Sequence, residues 1–205
     1  MNLFFLASFL IFIIMIFFVI RGQQRKFKEQ EAEFWSREAR ANSVRRMSLD
    51  DLKYIHIPLE GFPTHLMNDD PEVLEYINIL ESLTSRKVVN FTGRSNTDLK
   101  LEYGTANLDV LTEYDQNYTV LVRTLQKWAD RLIEGGFQKE AVVLMEFAVS
   151  TGTDISRTYY CLAEYYASQK RFQEIDRLRE AAGNLHSANR KVITRHLQER
   201  YPDVF

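Results

Sequence analysis

The sequence predicts a mainly α protein: one N-terminal transmembrane helix, a helical linker, then an α-hairpin array with capping helices. Three observations carry this expectation. Residues 1–20 hold no charged side chain and include the apolar run LFFLASFLIFIIMIFFVI, Leu3 to Ile20. No proline stands between Pro71 and Pro202, so that stretch contains no obligatory helix breaker. Within it, residues recur at an interval of thirty-four: Trp128 with Leu162, Ala129 with Ala163, Leu132 with Tyr166, Ala148 with Ala182.

The apolar run comes first. Eighteen helical residues span roughly 27 Å, close to the hydrocarbon thickness of a bilayer. A cleaved signal would have a basic start, a shorter apolar stretch and a small-x-small site. Here the run ends in Val19-Ile20-Arg21 without such a site. A soluble helix apolar on every face needs a large core around it, which a chain of 205 residues is too small to supply. Residues 1–20 are therefore expected to be a retained anchor in the lipid bilayer. Arg21, Arg25, Lys26 and Lys28 follow it, and no Lys or Arg precedes it. The positive-inside rule then puts the N-terminus outside and residues 21–205 in the cytoplasm, a single-pass topology. The glycosylation patterns at Asn90 and Asn117 would matter only if that orientation were reversed.

Residues 21–47 read as a basic juxtamembrane helix. The segment RKFKEQEAEFWSREARANSVRRM has no Gly or Pro and is rich in helix formers. Glu33 and Arg37 are spaced to pair across one turn. Phe27, Phe34 and Trp35 form a narrow apolar stripe on a solvated stalk, with a lipid or partner contact as the alternative reading. Residues 21–49 carry eight Lys/Arg against four Glu, a net of +4, and residues 50–205 carry eighteen against twenty-four acidic groups, a net of −6. A body of that sign lacks the broad basic face that phosphate backbones require, so nucleic acid is not an expected partner. Cys161 is the single cysteine; it excludes an internal disulfide and a CxxC pair, and reads as a small packed helix residue.

Residues 48–97 read as an irregular segment containing one helix. Ser48 opens a short helical turn with Asp51 as its capping partner. YIHIPLEGFPTHL is interrupted at Pro58, Gly61 and Pro63 and reads as extended or looped chain packed on the body. Asp70 caps the helix that follows, Pro71 takes its first position, and Glu72 and Glu75 complement its dipole. Val73, Leu74, Ile77, Leu80 and Leu83 form its expected buried face. NFTGRSNTD invites a phosphate-loop reading but lacks the GxxxxGK[ST] layout, and Thr97 or Asp98 as a helix cap explains it.

Residues 98–205 form the repeated part. Ala129 and Ala163 allow close helix approach, flanked by bulky Trp128, Leu132, Leu162 and Tyr166, and Ala148 and Ala182 do the same for the second helix of each pair. Gly152 and Gly183 end those second helices, and Asp154 is placed to cap the next one. Over residues 118–185 this stretch resembles the tetratricopeptide-repeat (TPR) family, some two repeats of a helical hairpin. It departs from the family pattern at Leu125 and Ile175, and neither repeat ends in proline. Two repeats alone are marginal, so helices over 71–84 and 98–115 are expected to cover one end, and SANRKVITRHLQERY the other. SNTDLKLEYG and LDVLTEYDQNY are similar to segments of uncharacterised bacterial membrane-anchored proteins, which implies no function.

The resemblance implies a concave groove lined by the first helix of each pair. Its partner-binding residues would be Arg123, Gln126 and Asp130 from the first repeat, and Arg157, Tyr160 and Glu164 from the second. Asp130 and Glu164 stand where carboxylate-clamping members use Lys and Asn, so a segment of mixed charge is the implied protein or peptide partner.

No enzyme, cofactor or metal site is expected. His56, His65, His186 and His196 fall in no HExxH, Pro58 keeps His56 and Glu60 off a shared regular turn, and no GxSxG occurs. The expected role is a membrane-anchored adaptor or scaffold. The alternatives are a structural subunit of a membrane complex and an outward-facing chaperone-like repeat protein.

Overall fold

The computed structural model describes residues 3–202; Met1 and Asn2, where the expected anchor begins, and residues 203–205 lie outside the described residues. Among the described residues there are eight α-helices, two 3-10 turns and no strand. The chain divides into two compact units, Met1–Met47 with Ser95–Leu108, and Ser48–Arg94 with Asp109–Phe205.

In the first unit, α1 (Leu3–Asn42) runs without interruption through the apolar stretch and the basic segment. It is long and apolar enough to cross a membrane, and its side chains from Ser8 to Ile20 are exposed. Arg25 pairs with Glu29 at 3.2 Å one turn on. Arg37 takes Asp98 as its partner, not the Glu33 that helical spacing suggests. Asp98 belongs to α3 (Asn96–Tyr103), which packs on the end of α1. Glu38 accepts from Thr97 Oγ1 at 2.7 Å and from the Lys100 ammonium, which also reaches Asn42 Oδ1 at 3.0 Å.

The cap of α3 is Ser95, not Thr97 or Asp98. Ser95 has the extended backbone an N-cap requires, and Asp98 completes a capping box by accepting from the Ser95 N–H at 2.9 Å. The expected helix over 98–115 is broken after Tyr103. Gly104, at φ +86°, lies so close to Arg45 that a Cβ would stand 2.2 Å from the Arg45 carbonyl oxygen. Buried Asn107 secures this bend. Its amide donates to the carbonyls of Met47 (2.8 Å) and Tyr103 (2.7 Å), and its oxygen accepts from Arg46 Nε at 2.9 Å.

The second unit holds the core. Ser48 forms a turn with Asp50, its hydroxyl accepting from the Asp50 N–H at 3.1 Å, so Asp50 takes the place expected of Asp51. Residues 53–58 have no regular secondary structure, and the Ile55 N–H donates to the Val88 carbonyl at 2.9 Å. After a 3-10 turn at Leu59–Gly61, Phe62 is buried edge-on against Trp128 and Phe147, with centroids 6.2 and 5.4 Å away. The helix α2 (Pro71–Thr84) is capped by Asp70, which accepts from the Glu72 N–H at 2.9 Å, with Pro71 in its first turn. Val73, Ile77, Leu80 and Leu83 are its buried face; Leu74, at the edge of that stripe, is 42 % exposed.

Four further helices follow α4 (Leu108–Glu134): α5 (Gln138–Ser150), α6 (Ser156–Ser168), α7 (Phe172–Gly183) and α8 (Asn189–Arg200). Helices α5 and α7 begin thirty-four residues apart, and α4 and α6 end thirty-four residues apart. The interval extends one step further than residues 118–185. Leu125, Tyr159 and Ile193 are each 0 % exposed at that spacing, and so are Ala129, Ala163 and Leu197. The segment expected only to cap the array, α8, thus packs its own Ile193 and Leu197 in register with the helices before it.

The α5–α6 turn uses Gly152 at φ +78°, as expected of a glycine ending α5, and α7 itself ends at Gly183. Asp154 does not cap α6; it accepts from the Asn189 amide, while Thr153 Oγ1 accepts from the Ile155 N–H at 3.3 Å.

Residues 85–94 strap this unit. The Asn90 amide donates to the carbonyls of Thr151 (2.9 Å) and Gly152 (3.2 Å), and the Asn117 amide donates to the Lys87 carbonyl at 3.0 Å. Both glycosylation patterns therefore have their amides engaged in the fold. Gly93, at φ +84°, passes within Cβ-excluding distance of His186.

Candidate functional site

Helices α4, α6 and α8 share a thirty-four-residue register of buried positions, and the residues expected to bind a partner stand on α4 and α6. Helical spacing brings Arg123, Gln126 and Asp130 to successive turns of α4, and Arg157, Tyr160 and Glu164 to the matching turns of α6. The structure distributes these six residues over three situations.

Gln126, Asp130 and Arg157 are joined in one clasp across α4 and α6. Gln126 Nε2 donates to Asp130 Oδ1 at 2.9 Å, and Arg157 Nε donates to both Asp130 oxygens at 2.8 and 2.9 Å. Thr158 Oγ1 donates to Gln126 Oε1 at 2.5 Å. Gln126 is buried, so it serves the helix seam, whereas Arg157 keeps an exposed flank. The Asp130 carboxylate beside Arg157 pushes the guanidinium above its ordinary pKa and keeps it charged.

Tyr160 is half-buried and lies on the ring of His196 from α8, with centroids 3.8 Å apart and planes inclined by 33°. Arg123 and Glu164 are exposed. Glu164 flanks Cys161, whose thiol burial pushes above its ordinary pKa; Arg157 pulls it back down, and Asp130 and Glu164 push it further up.

A second charged cluster lies at the end of α4. Arg131 pairs with Asp70, with Glu134 at 2.8 Å and with Glu72 at 3.5 Å. It ties the N-cap of α2 to the last turn of α4. Burial raises the Asp70 carboxyl, but the Arg131 guanidinium and the N–H groups of Glu72 and Val73 outweigh it and leave it below the ordinary value.

Arg21, Arg25, Lys26 and Lys28 are all exposed along α1, and Arg21 lies 5.8 Å from the Phe17 ring centroid. Among the described residues no group of three or more His, Cys, Asp or Glu side chains is placed to hold a metal ion.

Buried Thr158 and half-buried His196 hold these residues in place and were not singled out from the sequence. Extending the thirty-four-residue interval to Ile193 and Leu197 would have brought α8, and with it His196, into the array. Compared with known protein families, with curated proteins and with solved structures, the chain matches none.

Proposed function

We propose that the protein is a membrane-anchored adaptor that holds a segment of a partner protein on the inner face of α4, α6 and α8. The observation that carries this reading is the shared register of those three helices, set by Leu125, Tyr159 and Ile193. A common register turns one stripe of each helix the same way, as in a TPR-like array, and that stripe exposes Arg123, Arg157 and Glu164. Mixed charge on it suits a partner segment bearing both signs. Anchoring is read from α1, and the basic flank of its apolar run supports a cytoplasmic body. The role is binding, not catalysis.

The test is crosslinked capture of the full-length protein from native membranes, alongside Arg123→Glu/Arg157→Glu, after circular dichroism has shown the variant to remain helical. A specific partner captured by the native chain and lost by the variant is the expected result. A partner retained by the variant overturns the reading. A second reading, a subunit of a membrane complex, is favoured by the exposed Phe27, Phe34 and Trp35 on α1. It predicts capture that survives the groove variant and fails in Phe34→Ala/Trp35→Ala.

A further inference from the structure

A cleft of ≈ 190 Å³ opens between the last turn of α4, the first half of α5 and α6. Its walls are mainly apolar: Ile133, Val142, Met145, Cys161 and Tyr165. Sites for small molecules and cofactors occupy roughly 300–1,000 Å³. This one is sized for a side chain.

The cleft is lined by one charged side chain, exposed Glu164, with Gln138 and Ser168 as its other polar residues. The Cys161 thiol lies within the field of Asp130 and Glu164, and Arg157 feels Glu134 as well as Asp130. Glu134 in turn shares Arg131 with Asp70 and Glu72. The body as a whole carries −6 over residues 50–205. An apolar slot with the Glu164 carboxylate at its edge, on a body of net negative charge, favours an apolar side chain with a cation beside it and opposes an acidic neighbour.

We infer that this cleft seats an aliphatic side chain of a basic partner segment, with a neighbouring Lys or Arg of that segment on Glu164. The inference rests on the adaptor reading and gives the partner segment its chemistry: apolar at one position, cationic next to it. Cys161 lines the cleft, so an occupant shields its thiol.

Because Cys161 is the chain's single cysteine, alkylation by a small maleimide reads occupancy of this cleft alone. The full-length protein in detergent is labelled at mildly alkaline pH with two peptides of equal length present in turn. One peptide alternates Leu and Lys, the other Leu and Glu. At a tenfold excess over its Kd, the Leu/Lys peptide is expected to slow alkylation about tenfold, and the Leu/Glu peptide to leave the rate unchanged. Glu164→Lys, an exposed substitution, is expected to abolish that protection, read as the ratio of rates with and without peptide in the same variant, because the carboxylate it removes also holds the Cys161 thiol up. Equal protection by both peptides, protection by neither, or protection that persists in Glu164→Lys overturns the inference. A peptide absorbed by the micelle gives no protection and so counts against it. If the cleft stays unprotected while the Arg123→Glu/Arg157→Glu variant still loses a captured partner, the adaptor reading survives and this one does not.

Discussion

Position for position, Trp128 in the α4–α5 hairpin stands where Leu162 stands in the α6–α7 hairpin, Gly136 where Lys170 stands, and Asp130 where Glu164 stands. The two hairpins share buried Ala129 and Ala163 and buried Ala148 and Ala182, so their backbones approach their neighbours at equivalent places. They differ in what surrounds those alanines. Trp128 is buried against Phe62, and its indole Nε1 has no protein acceptor; Leu162 presents no polar atom at all. Met145 is buried, whereas Arg179 at the matching position reaches the carbonyls of Leu197 and Tyr201 at the end of α8. Register is thus held by small and apolar positions, and the remaining positions are free to become a clasp, a cap or an exposed contact.

Truncating the paired core residues tests this contrast most severely. Trp128→Ala is expected to cost about 3–5 kcal/mol and Leu162→Ala about 2–5 kcal/mol, measured by urea unfolding of the full chain. A larger loss at Leu162 would show that the second hairpin, not the one Phe62 covers, carries the greater share of the packing.

The clasp between α4 and α6 ranks next. Thr158→Val leaves the buried Gln126 oxygen without its donor and is expected to cost about 1–3 kcal/mol. Arg157→Ala removes an ion pair whose guanidinium side is 63 % exposed, so about 0–1 kcal/mol is expected. Comparable losses in the two variants would mean that the Asp130 pair is less screened than its exposure implies.

The interhelix turns offer a matched exchange. Gly136 has φ +84° and Lys170 has φ +56°, both in the left-handed region that only glycine enters without strain. Gly136→Ala is expected to destabilise by about 1 kcal/mol and Lys170→Gly to stabilise by up to about 1 kcal/mol, read as opposite shifts in Tm. Shifts of the same sign would contradict an equivalent turn in the two hairpins.

The smallest contrast appears in acid. Asp70 and Arg131 clasp the last turn of α4 in the first hairpin, while Tyr165 stands at the position matching Arg131 and makes no such pair. The folded Asp70 carboxyl titrates below its ordinary value, near 3.9 in an unfolded chain. Its contribution is therefore present above about pH 4 and is lost as pH falls through the folded value. Asp70→Asn should flatten the acid limb of a stability–pH curve, and an unchanged limb would assign it to other carboxylates, Glu38 and Asp98 first.

Much of this contrast was legible in the sequence wherever the cause is local. Asp70-Pro71 announces the start of α2 because cap and first turn are adjacent residues. The thirty-four-residue interval is legible for the same reason: each alanine meets its requirement one helix at a time. Ser95 was harder to see, because Asp98 is its reciprocal partner and could pass for the cap itself. The break at Gly104 is set by the close approach of Arg45, fifty-nine positions earlier. The burial of Gln126 depends on Thr158, thirty-two residues on. Neither contact leaves a mark on its own neighbourhood.

Helix α1 continues for twenty-two residues past Ile20, ending at Asn42 without a proline. At 1.5 Å per residue that is a lever arm of roughly 33 Å. Membrane-spanning helices tilt by about 20° on average, and more when the bilayer thins, so the far end of such an arm is displaced sideways by roughly 11 Å. The far end is where Arg37, Glu38 and Asn42 hold α3. Were α1 to span a bilayer, as its length and apolar stretch allow, a change of tilt within the lipid would carry α3 sideways outside it.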